Sequence, residues 1–156
     1  LKFTLASIGK PNEEYIDAGV KLFTRRIGNY FDCEWKILTP RHNRTVVSEV
    51  RFEEAALILQ LLEKENPFFI LLDEKGKNLS SIELAALIEK KAGDAVKQIL
   101  FLIGGAYGVD QTIRDRAHLV WSLSNLTFPH QLVRLILAEQ IYRACTIMRN
   151  EKYHHS

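Results

Sequence analysis

The chain has 156 residues, 47% of them hydrophobic and 26% charged, with a formal net charge of +2. That length suits one domain with a core of its own, and that composition argues against a disordered chain or a membrane-spanning one, because no apolar run approaches the thickness of a bilayer. So small a net charge excludes capture of a polyanion through the average field, so any nucleic-acid contact has to come from local patches or from two subunits combined.

Lys2 to Ile8 has the alternation of a strand, with Phe3, Leu5 and Ser7 on one face and Gly9 closing it. Pro11 and Asn12 open a helix. Tyr15, Ile16, Gly19, Leu22, Phe23, Arg26, Ile27 and Tyr30 recur at three-and-four spacing, and Glu13, Glu14 and Asp17 suit the positive end of its dipole. Cys33, Trp35 and Ile37 alternate with Glu34 and Lys36, as in a half-buried strand. The polar stretch Thr39 to Thr45 carries Arg41, His42 and Arg44; it is either a solvated loop or a grip on a phosphate backbone. Val50, Phe52, Ala55, Ala56, Leu59 and Leu62 predict a second helix, stopped by Asn66 and Pro67.

Phe68 to Leu72 is apolar throughout, which predicts a strand covered on both faces, and Asp73 to Lys77 is expected to turn the chain after it. Ser80 and Glu83 form a capping box in front of a helix that Gly93 ends. Ile99 to Ile103 repeats the apolar strand and runs into Gly104, Gly105 and Gly108; Asp110 then caps a short helix reaching Ala117. His118 to Leu123 is a last strand, and Pro129 makes Leu123 to Phe128 a loop. From His130 a long helix is apolar around more of its circumference than one core-facing stripe needs, so its second side is expected to meet another subunit, the alternative being a helix wholly internal to a monomer. Strands alternate with helices from end to end, giving a single α/β domain over residues 1–156 with a mainly parallel sheet.

Three strand exits are candidates for one site: Leu72, Gly104 with Gly105 and Gly108, and the loop Leu123 to Phe128. The glycine spacing fits neither a Walker loop nor a dinucleotide fingerprint, so the turn is either structural or a place where a ligand approaches the main chain. Cys33 and Cys145 are too few for a disulfide framework or a zinc site and suit a reducing compartment; no metal is expected. No charged-then-apolar leader is apparent, and the expectation is a cytoplasmic protein without a membrane anchor. His130 reads as a helix-start residue and Asp73 as a turn acid. The segment Arg149 to Ser156 combines cations, Tyr153, His154 and His155, a mix able to contact phosphate, stack on a base or move a proton.

The segments from Leu72 to Ser81, Phe101 to Gly108, Trp121 to Arg134, Leu137 to Ala144 and Lys152 to His155 together resemble the bacterial ribosomal RNA large-subunit methyltransferase H family, of the SPOUT class. The resemblance spans essentially the whole chain. It implies a homodimer that transfers a methyl group from S-adenosylmethionine to N3 of a pseudouridine in 23S large-subunit ribosomal RNA, with assembled ribosomes as the expected substrate. It also implies a parallel-sheet α/β fold whose C-terminal part is tied in a trefoil knot around the cofactor. The cofactor positions carry over onto Leu72, Gly104, Leu123, Ser124, Asn125, Leu126, Thr127 and Phe128. Arg143, Tyr153 and His154 are the catalytic candidates: the tail would reach the partner's cofactor, with His154 accepting the imide proton directly or through water and Tyr153 positioning the base. The alternatives are a tail that only grips RNA, a non-catalytic RNA-binding module of the same fold, and a nucleotide-dependent enzyme using the glycine turn for phosphate.

Overall fold

Short β-rich apolar runs separated by amphipathic helices can pair only by crossing over, which makes the strands parallel. In the computed structural model, which describes residues 1–41 and 43–155, β1 (Lys2–Ile8), β2 (Asp32–Leu38), β3 (Phe68–Asn78), β4 (Gln98–Ile103) and β5 (Leu119–Ser122) form one sheet in the order β2-β1-β4-β3-β5. Every pairing is parallel. The helices are α1 (Glu14–Ile27), α2 (Val47–Glu65), α3 (Ser81–Gly93), α4 (Gln111–Arg116) and α5 (His130–Met148).

Strand alternation sorts the core into two layers. Phe3, Leu5, Ile70, Leu72, Ile99 and Phe101 pack with Ile27, Leu84, Ile88, Leu137 and Ile141, which places α1, α3 and α5 on one face. Ala6, Ile8, Phe69, Leu71, Leu100 and Leu102 pack with Ala55, Ile58, Leu62 and Ile113, which places α2 and α4 on the other. Each fully buried Leu, Ile or Phe stabilises the fold by about 1.5–3 kcal/mol, so the central strands β1, β4 and β3 anchor both layers.

Local signals set the helix ends. Ser80 accepts from the Glu83 amide while Glu83 accepts from the Ser80 amide, the expected capping box. Asp110 accepts from the Thr112 amide at the start of α4. Asn66 ends α2 in the left-handed region, at φ 45°.

Three expectations need correction. Asp73 to Lys77 is not a turn that ends the strand: β3 continues to Asn78, and both Leu72 and Lys77 pair with Trp121 across a bulge. Gly76 makes that bulge possible, because a Cβ there would lie 2.6–2.8 Å from Val120 O, Val120 C and Trp121 N. On α2 the buried face is Glu54, Ala55, Ile58, Leu61 and Leu62, so the expected face was rotated; Phe52 is 75% exposed and Ala56 is exposed. On α1, Tyr15 also faces outward while Ile16, Val20 and Ile27 are buried. His42, in the positive loop, lies outside the described residues. Among the described residues no helix is long and apolar enough to cross a membrane.

Candidate functional site

Because β3, β4 and β5 are parallel neighbours, their carboxyl ends open along one edge of the sheet. The chain leaves β3 for α3 on one face and β4 for α4 on the other, so the two exits diverge and leave a crevice, the place where open parallel sheets bind ligands. A cleft of about 320 Å³ lies there, within the size range of small-molecule sites.

Its apolar walls are Leu72, Ile103, Trp121, Leu123, Phe128 and Val133. Gly104, Gly105, Ala106 and Gly108 contribute main chain with little or no side chain, and Ser124, Leu126 and Thr127 close the opposite side. The loop after β5 holds its shape through its own hydroxyls: Ser122 Oγ donates to Ser124 O at 2.8 Å, and Ser124 Oγ accepts from the Leu126 amide at 3.0 Å. Asp73 and Glu74, on the β3 bulge, also reach the wall. Arg114 Nη1 holds Asp73 Oδ2 at 2.6 Å, so Asp73 is an anchored acid rather than a free base. Thr127 Oγ1 donates to Glu74 at 3.4 Å, tying the bulge to the loop across the cleft. The Trp121 Nε1–H is buried without a partner among the described residues, an unsatisfied donor in the wall.

The first turn of α5 brings His130 and Val133 to the cleft. Desolvation and then the Arg134 charge hold the His130 imidazole below its ordinary value of 6.5. Arg134 itself is 1% exposed and meets no carboxylate among the described residues: Nε donates to Ser7 Oγ at 2.9 Å, and Nη1 donates to Lys10 O at 2.8 Å and Asn12 Oδ1 at 3.0 Å. It fastens the start of α5 to the exit of β1.

A second cluster sits at the far end of α5. Arg143 donates from Nη2 and Nε to Glu139 Oε1 at 2.6 and 3.0 Å, and Tyr153 OH donates to the same oxygen at 3.0 Å. Tyr153 lies edge-on to Tyr142 and under the Arg143 guanidinium. Burial and then the Glu139 hydrogen bond raise the Tyr153 phenol above its ordinary value, so it acts as a donor and not as a phenolate. Arg143 Nη1 lies 3.1 Å from His154 Nδ1. Since a guanidinium only donates, Nδ1 accepts, and a neutral His154 carries its proton on Nε2. The thirteen positions from His130 to Arg143 span roughly 20 Å at the helical rise, so this cluster is remote from its own chain's cleft.

A family model described as "Predicted SPOUT methyltransferase" matches residues 1–154. Proteins named ribosomal RNA large subunit methyltransferase H are similar over the whole length: that of Cytophaga hutchinsonii is 40% identical, covering 99% of this chain and 100% of the relative. That of Geobacter metallireducens is 42% identical, covering 100% of both. The chain belongs to the ribosomal RNA large subunit methyltransferase H family of SPOUT methyltransferases. A solved structure of a probable methylase family protein from Haemophilus influenzae Rd KW20 shares the fold with a TM-score of 0.55 at 11% identity, covering 99% of this chain and 70% of that one.

In this SPOUT methyltransferase, Leu72, Gly104, Leu123, Ser124, Leu126, Thr127 and Phe128 come together around the cleft. Asn125 is exposed and does not line it. Arg143, Tyr153 and His154 come together with one another but not with the cleft. Sequence reasoning missed Glu139, which orients two of those three, and Arg134; nothing but the i to i+4 spacing of Glu139 and Arg143 pointed to the first. Trp121 was read as part of the strand but not as cleft wall. The described residues of the positive loop take no part in the cleft wall, and Arg44 faces Glu53 at 3.6 Å. Among the described residues no group of three His, Cys, Asp or Glu could hold a metal.

Proposed function

We propose that this chain is a cytoplasmic homodimeric methyltransferase that moves the methyl group of S-adenosylmethionine to N3 of a pseudouridine in 23S large-subunit ribosomal RNA, on assembled ribosomes. Residues 1–156 act as one catalytic domain, with the loop Leu123 to Phe128 and α5 closing a trefoil knot beside the cofactor. The observation that carries this is the cleft at the exits of β3, β4 and β5. Its size, its apolar walls, its main-chain turn and the unsatisfied Trp121 Nε1–H fit a bent adenosyl group, which needs a few hydrogen-bonding groups and a dry wall rather than a phosphate loop. Leu72, Gly104, Leu123, Ser124, Leu126, Thr127 and Phe128 hold that group, with Asn125 at the loop's outer edge.

When bound, the cofactor supplies an electrophilic methyl on a sulfonium. The chain's own residues have to align the imide nitrogen and favour its anion. Arg143 brings a fixed positive charge, and His154, with Nδ1 engaged by Arg143, presents Nε2–H to an imide oxygen. These donors stabilise the charge that develops on the acceptor, and its proton leaves to water or to His154 once the Arg143 contact opens. Tyr153, pinned to Glu139, positions Arg143 and the tail.

The roughly 20 Å between cleft and cluster is bridged by a second copy. Leu132 and Ile136 on α5 are only partly buried in one chain, and a two-fold antiparallel pairing of this helix lays the Arg143 end of one subunit over the cleft of the other. Incubation of the full chain with methyl-labelled S-adenosylmethionine and either assembled ribosomes, isolated large subunits or naked 23S RNA, followed by mass analysis of nucleosides, tests the proposal. Label in 3-methylpseudouridine from ribosomes supports it. Binding of RNA with neither label transfer nor stabilisation by S-adenosylhomocysteine points instead to the non-catalytic module.

A further inference from the structure

Two side chains of α2 reach the glycine turn from behind, on the side away from the cleft. Arg51 donates from Nε and Nη2 to the Tyr107 carbonyl at 3.0 and 2.7 Å. One turn further along the same helix face, Glu54 is buried, at 8% exposure. A Cβ added at Gly105 would lie 2.5 and 2.6 Å from its two carboxylate oxygens. Arg51 and Glu54 are both outside the cleft wall, whereas Gly105, Ala106 and Gly108 are in it.

The three glycines of the turn have three different reasons to be glycine. A Cβ at Gly104 would meet Val109 Cγ1 at 2.8 Å, from within the turn itself. Gly108 has open space around its Cβ position but takes φ +76°, which side chains rarely adopt. Gly105 has no unusual φ, and Glu54 fills the space its side chain would need. Burial and then Glu53 raise the Glu54 carboxyl above its ordinary value, consistent with an acid enclosed against the turn rather than solvated at the surface.

We infer that Arg51 and Glu54 form a two-point brace that fixes the Gly104–Gly108 backbone in the position from which it holds the methyl donor, and that residue 105 is bare to admit Glu54 rather than the ligand. This rests on the methyl-donor assignment proposed above. The two residues are positioning residues: they act through the turn and do not touch the ligand.

The test is calorimetric titration with S-adenosylhomocysteine, together with the KM for S-adenosylmethionine, for the wild type, Arg51→Ala, Glu54→Ala, Gly105→Ala and the Glu54→Ala/Gly105→Ala pair. Loss of Arg51 removes a charge-assisted bond to the turn, and loss of Glu54 removes the side chain packed against Gly105; either change weakens S-adenosylhomocysteine binding and raises KM about tenfold. The rate at saturating methyl donor returns to within about twofold of wild type, a recovery that a misfolded variant does not give. Gly105→Ala weakens binding about tenfold alone but by less than about twofold when Glu54 is already alanine, because the obstacle is gone. Should Glu54→Ala fail to fold, Glu54→Asp, shorter by one methylene, makes the same comparison. Wild-type tightness in Arg51→Ala and Glu54→Ala, or strictly additive losses in the pair, overturns the brace alone. A wild-type chain that binds no S-adenosylhomocysteine overturns the methyl-donor assignment and the brace with it.

Discussion

Replacing Arg143 with alanine separates a catalytic tail cluster from a structural one. The Arg143 and Glu139 side chains are 25% and 19% exposed, and an i to i+4 pair this open to water stabilises the fold by at most about 1 kcal/mol. For a chain of this length that is a melting-temperature loss of roughly 2–4 °C. A donor aimed at charge that develops during methyl transfer has a larger effect: losing one costs about 2.7–4 kcal/mol, or roughly 100–1000-fold in rate. The alanine also frees His154 Nδ1, 3.1 Å from the lost guanidinium, and removes the cation lying over Tyr153. Single-turnover methylation of assembled ribosomes is therefore expected to slow at least 100-fold in Arg143→Ala, with near-native melting and unchanged affinity for S-adenosylhomocysteine. Tyr153→Phe, which keeps the ring against Tyr142 and loses only the bond to Glu139, is expected to slow it less than tenfold. A rate for Arg143→Ala within threefold of wild type at saturating ribosome refutes the catalytic assignment and leaves the cluster as a tether for the tail.

Three further outcomes concern the scaffold. Arg134→Met strands three acceptors, on Ser7, Lys10 and Asn12, and is expected to cost about 2–4 kcal/mol, seen as a melting point lower by roughly 5–15 °C; a loss under 2 °C contradicts the fastening role. Gly76→Ala pushes a methyl into the Val120–Trp121 backbone and is expected to cost about 1–3 kcal/mol in urea unfolding, with the cleft weakened because β3 and β5 must separate to relieve it. Glu65 has its carboxyl held below the ordinary 4.5 by the Gln98 hydrogen bond and, after it, by Lys36. A carboxylate with a depressed folded value contributes stability that is present above about pH 4.5 and lost as the pH falls through the folded value, so Glu65→Gln is expected to flatten the acid limb of the stability curve below pH 4.5; an unchanged slope there counts against it.

The strands and most helix ends were legible because their causes are local. Phe68 to Leu72 and Ile99 to Ile103 are apolar on both faces because both faces are covered, and Ser80 with Glu83 satisfies amides within one turn. The misreadings share the opposite property. Asp73 to Lys77 is charged and contains a glycine, the composition of a turn, but it is a bulge whose partner, Trp121, lies 44 to 48 residues away in the chain. On α2 the apolar count favoured Phe52 and Ala56 over Glu54, yet the sheet selected the face that carries Ile58, Leu61 and Leu62, and the acid went in with them. Arg134 looked like any cation on a long helix; its burial depends on Ser7, Lys10 and Asn12, more than 120 positions earlier. A polar residue enclosed by distant partners leaves no periodic trace.

The same contrast bears on how the two halves of the site work together. Seven of the eight residues proposed to hold the cofactor line one cleft at the strand edge, because parallel pairing of β3, β4 and β5 brings their exits together whatever the intervening loops do. The tail cannot join them within one chain, since α5 is a regular helix whose first turn is fastened to β1 through Arg134 and whose last turns carry Arg143. Bending it back would break either the Arg134 bonds or the packing of Leu137, Ile141 and Cys145 in the core. A lone copy with this fold could therefore bind a methyl donor and still lack the donors that steady the acceptor. In the proposed dimer, dilution below its dissociation constant should then abolish methyl transfer while leaving binding of S-adenosylhomocysteine in place, and transfer that stays proportional to protein concentration through that range would mean that one chain suffices.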